Sequence, residues 1–527
     1  MSDERDQSAI LPRSRAANPA LGEPRKASEA SARNDLLALG GIALGVALLH
    51  VLTNGRYGFH RDELQVLDDA RHLDWGFVAY PPFTPAIEQL GLAFFGNSLV
   101  GLRMFSVLAQ AAALVVTGLM ARELAGRRLA QIVAALAVAV SVLPLFEGTE
   151  FQYSTFDYLW NVLIAYFLIR LLNSKDSRWW LALGIAIGLG MMTKYTMAFF
   201  VSGIIGGVLL TPARRELKSP WLWAGVALSV LIFLPNLIWQ IRHGFVSLHF
   251  LQHIHARDVG EGRAEGFLRY QFLISTNPFV APLWLGGLYY FFAATDGKRY
   301  RLMGWLYVIP FALFFFAKGR AYYLAPAYPM LFAAGAVLLE QWTDSLSTLW
   351  ARVVSAVTFA ALAVGGVFAC ALVVPFNPAI SPKNYALRNN GDLREEIGWT
   401  ELVAEVARVR DSLSPAERAS LGIMTGNYGE TGALNLYGPA YGLPQVISGT
   451  NTAWYRGYGQ PAPETVIVVG ISREYLGRHF ESCRLAGHNG NSYGIKNEES
   501  DDHPDIFVCG PPRNGWPEFW NGFQWFG

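Results

Sequence analysis

The densest polar chemistry in this 527-residue chain is Tyr57-Gly58-Phe59-His60-Arg61-Asp62-Glu63-Leu64, which directly follows an apolar stretch. A carboxylate at a lipid boundary is poorly solvated, which suits a group that must take a proton near neutral pH. Asp62 is therefore a candidate base, with Glu63 beside it either sharing that work or orienting Arg61. The same two acids can instead cap a helix and pair with Arg61. Asp157 lies just inside an apolar run, in Tyr153-Ser154-Thr155-Phe156-Asp157-Tyr158, and an intramembrane carboxylate is costly enough to point to function. Lys194 separates two short apolar runs, and Lys318 and Arg320 flank Gly319 at the end of another. Two carboxylates and three cations thus gather at one membrane face, whereas a proton or ion pathway would spread charge toward the midplane. An anionic lipid headgroup is the simplest ligand for such cations; snorkelling to ordinary lipid phosphates is the alternative for each. His243, His249, His253 and His255 crowd one segment. His249 and His253, four residues apart, can share a metal on one helix face, although no third strong ligand is nearby.

Positioning these groups requires a membrane scaffold. Hydrophobic residues make up 52% of the chain and charged residues 16%, and 16 Trp, 22 Tyr and 33 Phe can supply aromatic belts. A balance of 42 basic against 41 acidic residues leaves no clustered basic excess for a nucleic-acid partner. Apolar runs at 36–53, 99–120, 129–146, 156–172, 180–193, 195–210, 221–240, 278–294, 302–317, 321–340 and 353–375 predict eleven spans. Alternate connections carry Arg122, Arg127 and Arg128; Arg170, Lys175 and Arg178; Arg214, Arg215 and Lys218; and Lys298, Arg299 and Arg301. Those loops are expected in the cytoplasm. On this basis the chain is a multi-span α-helical membrane protein. Its parts are a disordered cytoplasmic tail at 1–34, a transmembrane module at 35–375 with external segments at 54–98 and 241–277, and an extracytoplasmic α/β domain at 376–527. In the first external segment the pattern predicts interfacial helices over 62–75 and 83–95. In the last region, β-type runs at 422–425, 445–448, 465–469 and 506–508 follow a helical stretch at 400–412. Cys483 and Cys509 fall in the part expected outside the cytoplasm, where a disulfide between them is expected, while Cys370 falls inside a span.

These residues resemble the polyprenyl-phosphate-sugar-dependent transferases of the GT-C class, in the bacterial branch related to protein O-mannosyltransferases and the lipid A aminoarabinose transferase. The resemblance rests on Arg61-Asp62-Glu63, Tyr80-Pro81-Pro82, Phe156-Asp157-Tyr158, Thr193-Lys194-Tyr195, and Lys318-Gly319-Arg320 with Tyr323 and Pro326, in that order over residues 35–340. The stretch from Asn427-Tyr428-Gly429-Glu430 to Ile447-Ser448-Gly449 also looks like the external tail of some members. The resemblance implies a glycosyltransferase at the outer face of the bacterial cytoplasmic membrane. It would move a hexose or pentose, with inversion, from a polyprenyl-phosphate-linked donor to a hydroxyl of an envelope glycan, lipid or protein. Asp62 then corresponds to the catalytic aspartate and Asp157 to a supporting acid. Lys194, Lys318, Arg320 and Arg61 would face the donor phosphate, with Tyr80, Pro81 and Tyr323 forming cavity walls. A divalent metal ion is a further means of neutralising that phosphate, although Tyr80 stands where relatives often carry a charged residue that touches phosphate or metal. Segment 241–277 is long enough to act as a lid over the donor. Two other classes fit the composition. One is a sugar-lipid transporter, whose inverted repeats are not evident; the other is a membrane-anchored glycan-binding protein, for which eleven spans are excessive.

Overall fold

The structure, a computed structural model, describes residues 29–527. Most of the expected tail lies outside the described residues, but its last part opens the first helix, so the helical module begins at Glu29. All eleven apolar runs are helical: Glu29–Thr53, Leu99–Glu123, Arg128–Ala139, Tyr153–Ser174, Trp179–Met191, Met197–Leu210, Pro220–Arg242, Ala281–Phe292, Arg301–Phe316, Tyr328–Ser345 and Thr348–Val373. Length divides them. Six helices are long and apolar enough to cross a bilayer unaided, or seven if Met197–Leu210 and the sharply bent Pro212–Lys218 are one span. Several others, such as Arg128–Ala139 and Trp179–Met191, are shorter apolar helices, below the roughly 20 residues a full crossing takes. The run at 129–146 shows why: it breaks at Val140-Ser141 into Arg128–Ala139 and Val142–Glu147. The break expected around Lys194 is present, with the Thr193 and Lys194 amides both turning back to the Gly190 carbonyl at 3.0 and 2.9 Å.

Helices in this module meet through small residues. A Cβ on Gly184 would lie 2.2 Å from the Gly225 carbonyl oxygen, so these two helices pack backbone to backbone, as apolar helices without a hydrophobic driving force between them commonly do.

The first segment expected to be external departs from expectation in two respects, the length of its first helix and what covers that helix. Its second helix, Phe83–Phe95, has the expected bounds and ends at Gly96, whose φ of 58° is the left-handed region that favours glycine. Its first helix is shorter, Arg61–Ala70. Its apolar face is covered by protein: Leu64 and Leu67 are buried in one core with Trp399, Leu402, Ile423 and Ile467 of the C-terminal region. Burying two leucines is worth about 1.5–3 kcal/mol each, and the apolar face that suggested a bilayer contact is occupied by protein.

The C-terminal region is an α/β domain. Strands β1 (Leu421–Thr425), β2 (Val446–Ser448), β3 (Thr465–Val469), β4 (Cys483–His488) and β5 (Asp505–Cys509) form one sheet in the order β2-β1-β3-β5-β4. The first three are parallel, and β5 runs antiparallel to β3 and β4. Strand β4 carries no signal in the sequence because it is an edge strand with mostly exposed side chains, so no alternation of apolar and polar residues is imposed on it. Cys483 and Cys509 face each other across β4 and β5 and are joined by a disulfide.

Candidate active site

A cavity of about 500 Å³ lies between the membrane module and the C-terminal domain. Arg61 and Asp62 enter it from the start of the first external helix, and Tyr80 and Pro81 from the turn that follows. Lys194 comes from the interhelical break, and Lys318, Arg320 and Tyr323 from the turn after Arg301–Phe316. Residues far apart in sequence are thus gathered on one wall. A second cavity of similar volume, lined by Tyr57, Trp399 and Tyr437 among others, holds none of the candidate residues.

Capping does not consume Asp62. The His60 side chain accepts the Asp62 amide, and the Glu63 carboxylate takes the His60 amide at 2.7 Å, completing a capping box. Asp62 is left facing the cavity, its side chain about one-third exposed. Its Oδ1 accepts the Tyr428 hydroxyl at 2.8 Å, and Arg61 Nε stands 4.0 Å away. Glu63 does not line this cavity and does not hold Arg61. It pairs with Arg103, whose Nε and Nη2 lie 2.8 and 2.6 Å from its two oxygens, and it accepts the Phe151 amide. Arg103 is fully buried and also reaches Glu396 at 3.3 Å, tying membrane helix, external helix and C-terminal domain together.

The four expected phosphate cations divide into two kinds. Arg320 is held in a bidentate pair by Asp258 at 2.6 and 2.7 Å, and Arg61 is paired with Glu498 and Glu499. Lys194 and Lys318 have no ion pair among the described residues. Lys194 is 8% exposed, and its ammonium stands 4.8 to 5.1 Å from the ring centres of Tyr153, Tyr322 and Tyr323. Asp157 is buried behind this cage, accepting an Asn161 amide hydrogen, and is not on the cavity wall. Tyr80 donates its hydroxyl to Asp69 at 2.7 Å. Asp69 and its neighbour Asp68 also clasp Arg456 of the C-terminal domain. Burial pushes the Asp69 carboxyl up to about 7, against the opposing pull of Arg456.

His249 and His253 lie exposed on the helix Val246–Gly260 and off the cavity wall, although His255 of the same helix reaches it. Among the described residues no three His, Cys, Asp or Glu side chains are arranged to hold a metal ion. The donor set around His249 and His253 does not fit the metal reading. The sequence reading missed Tyr428, Arg103, Asp258 and the Asp69–Arg456 clasp. Arg103 had a signal, a lone arginine in the first turns of the apolar helix Leu99–Glu123, and Tyr428 sits in the stretch that resembles the family's external tail, but none of these roles is local, because each is defined by a distant partner.

Comparisons with known proteins bear out the resemblance to GT-C transferases that the residues carry. The family model for dolichyl-phosphate-mannose-protein mannosyltransferase matches residues 79–239. The chain is 27% identical over 275 residues to lipid A galacturonosyltransferase RgtD of Rhizobium johnstonii, covering 50% of this chain and 57% of that relative. It is 25% identical over 271 residues to undecaprenyl phosphate-alpha-4-amino-4-deoxy-L-arabinose arabinosyl transferase 1 of Pseudomonas fluorescens, covering 48% of each. The match therefore spans about half the length of these curated relatives. Among solved structures, the fold is similar to ArnT from Cupriavidus metallidurans bound to undecaprenyl phosphate, with a TM-score of 0.55 at 15% identity over 91% of this chain and 98% of that one. It is also similar to the Archaeoglobus fulgidus oligosaccharyltransferase in complex with Zn and sulfate, with a TM-score of 0.53 at 12% identity over 82% and 68%.

Proposed function

We propose that this chain is a glycosyltransferase that moves a sugar from a polyprenyl-phosphate-linked donor to an acceptor hydroxyl at the outer face of the bacterial cytoplasmic membrane. The observation that carries this reading is that one cavity is lined both by a carboxylate, Asp62, and by an ammonium with no ion pair among the described residues, Lys194. The donor's lipid phosphate is already a good leaving group, so it needs charge stabilisation more than a proton. Lys194 supplies that charge, with Lys318 lining the same cavity. Arg320 and Arg61, each engaged by acids, shape the cavity and act secondarily. Asp62 takes the proton of the acceptor hydroxyl as its oxygen attacks the anomeric carbon. The bond to the phosphate oxygen breaks on the opposite face, its electron pair leaves with the lipid phosphate, and the centre inverts.

In this reading all eleven apolar helices belong to the membrane module, with the short ones packed inside it, and the basic connections face the cytoplasm. The C-terminal domain then lies outside, consistent with its disulfide. By their names, one relative is a lipid A galacturonosyltransferase and the other transfers arabinose from undecaprenyl phosphate-alpha-4-amino-4-deoxy-L-arabinose. Undecaprenyl-phosphate conjugates of these two sugars, with lipid A as acceptor, are accordingly the first substrates to offer.

The test is Asp62→Asn in protein reconstituted in phospholipid nanodiscs, read as release of undecaprenyl phosphate. This change keeps shape and hydrogen bonding but removes proton acceptance, and loss of a general base typically costs about a hundredfold to ten-thousandfold. Near-normal turnover in Asp62→Asn, with loss in Asp157→Asn instead, would move the base to Asp157.

A further inference from the structure

The C-terminal domain reaches the proposed base directly. Tyr428 opens the helix Tyr428–Tyr437 and donates its hydroxyl to Asp62 at 2.8 Å across a sequence separation of 366 residues. Domain docking, not local folding, makes this contact. The docking is close enough to fix it: a Cβ on Gly432 would lie 2.4 Å from the Leu64 carbonyl oxygen, and one on Gly429 would lie 2.9 Å from the Arg61 Cβ. Arg61 adds a second clamp, its guanidinium 5.5 Å from the Tyr428 ring centre while it pairs with Glu498 and Glu499. Tyr428 and Asp62 both face the cavity.

We propose that Tyr428 is a positioning residue for sugar transfer, holding one carboxylate oxygen of Asp62 so that the other is presented to the acceptor hydroxyl. The inference rests on the reading of Asp62 as the base. The terminal torsion of an aspartate is broad and roughly two-fold, so a carboxylate at a helix start has no single orientation of its own. A charge-assisted hydrogen bond selects one, and proton removal is sensitive to small misplacements of the reacting groups. Tyr428 keeps its own proton throughout, because burial and the adjacent Asp62 charge hold its phenol well above the usual range. The acceptor's proton therefore passes to the free oxygen of Asp62 and to no other group in this contact. In this arrangement the C-terminal domain completes the catalytic geometry as well as covering the cavity.

The experiment is Tyr428→Phe in the full chain, in nanodiscs, with the undecaprenyl-phosphate galacturonate and aminoarabinose conjugates and lipid A. Loss of one hydrogen bond to a charged group predicts a fall in kcat of about tenfold to a hundredfold. The KM for donor should stay within about threefold, since the phosphate contacts are untouched. The acid limb of the pH–rate profile should move to higher pH, because the base has lost a donor that favours its charged form. A lowered melting temperature with the acid limb in place would mean that Tyr428 only helps the domain dock, and it would overturn the proposal, as would unchanged kcat. If Tyr428→Phe does not fold, replacement of Tyr428 by 3-fluorotyrosine, nearly the same size with a more acidic hydroxyl, decides the matter. The acid limb must then move to lower pH, and an unmoved limb sinks the idea. Asp62→Asn run alongside separates the two claims: if it retains turnover, the base reading itself fails, and if it is dead while Tyr428→Phe is normal, only the positioning role fails.

Discussion

Lys194 is a nearly buried ammonium with no acid within ion-pair distance among the described residues, held by three tyrosine rings instead. Cation–π contacts of this kind are worth about 0.5–2 kcal/mol, too little to replace a full counter-charge in a desolvated site. A bound phosphate would supply the missing charge. Lys194→Met, which keeps the apolar stem, is therefore expected to weaken binding of undecaprenyl phosphate about tenfold to a hundredfold, the loss of one charge-assisted hydrogen bond. Titration in nanodiscs measures this, and unchanged affinity would return Lys194 to a lysine snorkelling toward ordinary lipid headgroups. Glu63 is the contrasting case, because its carboxylate is spent on Arg103, the His60 amide and the Phe151 amide. Breaking a buried pair from one side costs about 3–5 kcal/mol, so Glu63→Gln should lower the melting temperature, and any activity it loses should follow that loss of stability. A Glu63→Gln protein that melts like the wild type but cannot turn over would place Glu63 in the chemistry after all.

The helix Arg61–Ala70 sets the spacing of the whole site, and its contact with the helix Tyr428–Tyr437 is made by two glycines. Gly432→Val puts side-chain carbon where the Leu64 carbonyl stands. The backbone must move, and overpacking of this kind typically costs about 1–3 kcal/mol. The expected outcome is earlier proteolytic release of the C-terminal domain together with reduced turnover, whereas a tightly docked and active Gly432→Val would mean that the two helices have slack. This contact also shows what a sequence can and cannot carry. Apolar runs of helical length locate the helices one by one, and acid next to arginine after the first run points to Asp62, because those signals are local. The pattern over 62–75 predicts a longer helix against lipid than the Arg61–Ala70 found, because an apolar face looks the same whether lipid or protein covers it. Strand β4 was silent because its side chains face water. The roles of Tyr428 and Arg103 exist only once distant segments meet.

At the scale of the molecule, the junction between membrane module and C-terminal domain is built from buried acids, and this fixes how stability depends on pH. Burial pushes Glu396 to about 8, with Arg103 opposing and Glu63 reinforcing. Burial likewise raises Glu430 to about 8 and Asp69 to about 7, and holds Glu499 well above the usual carboxylate range. In the unfolded chain these groups titrate near the ordinary values of 4.5 for Glu and 3.8 for Asp. Between roughly pH 4 and pH 8 the folded protein therefore binds more protons than the unfolded chain, and stability must fall as pH rises through that window. The half-buried acids Glu405, drawn down by Arg408, and Glu417, drawn down by the Ser414 amide, act in the opposite sense. Their contribution is already complete above the ordinary carboxylate value, so they do not offset the slope at neutral pH. The melting temperature of the domain junction is accordingly expected to be higher near pH 5.5 than near pH 8. Glu396→Gln and Glu430→Gln, which stay neutral at every pH, should each flatten that dependence and gain most over wild type at the alkaline end. Differential scanning calorimetry across this range checks the sign directly: a junction that becomes more stable as pH rises would show that Glu396 and Glu430 are ionised and well compensated in the folded protein.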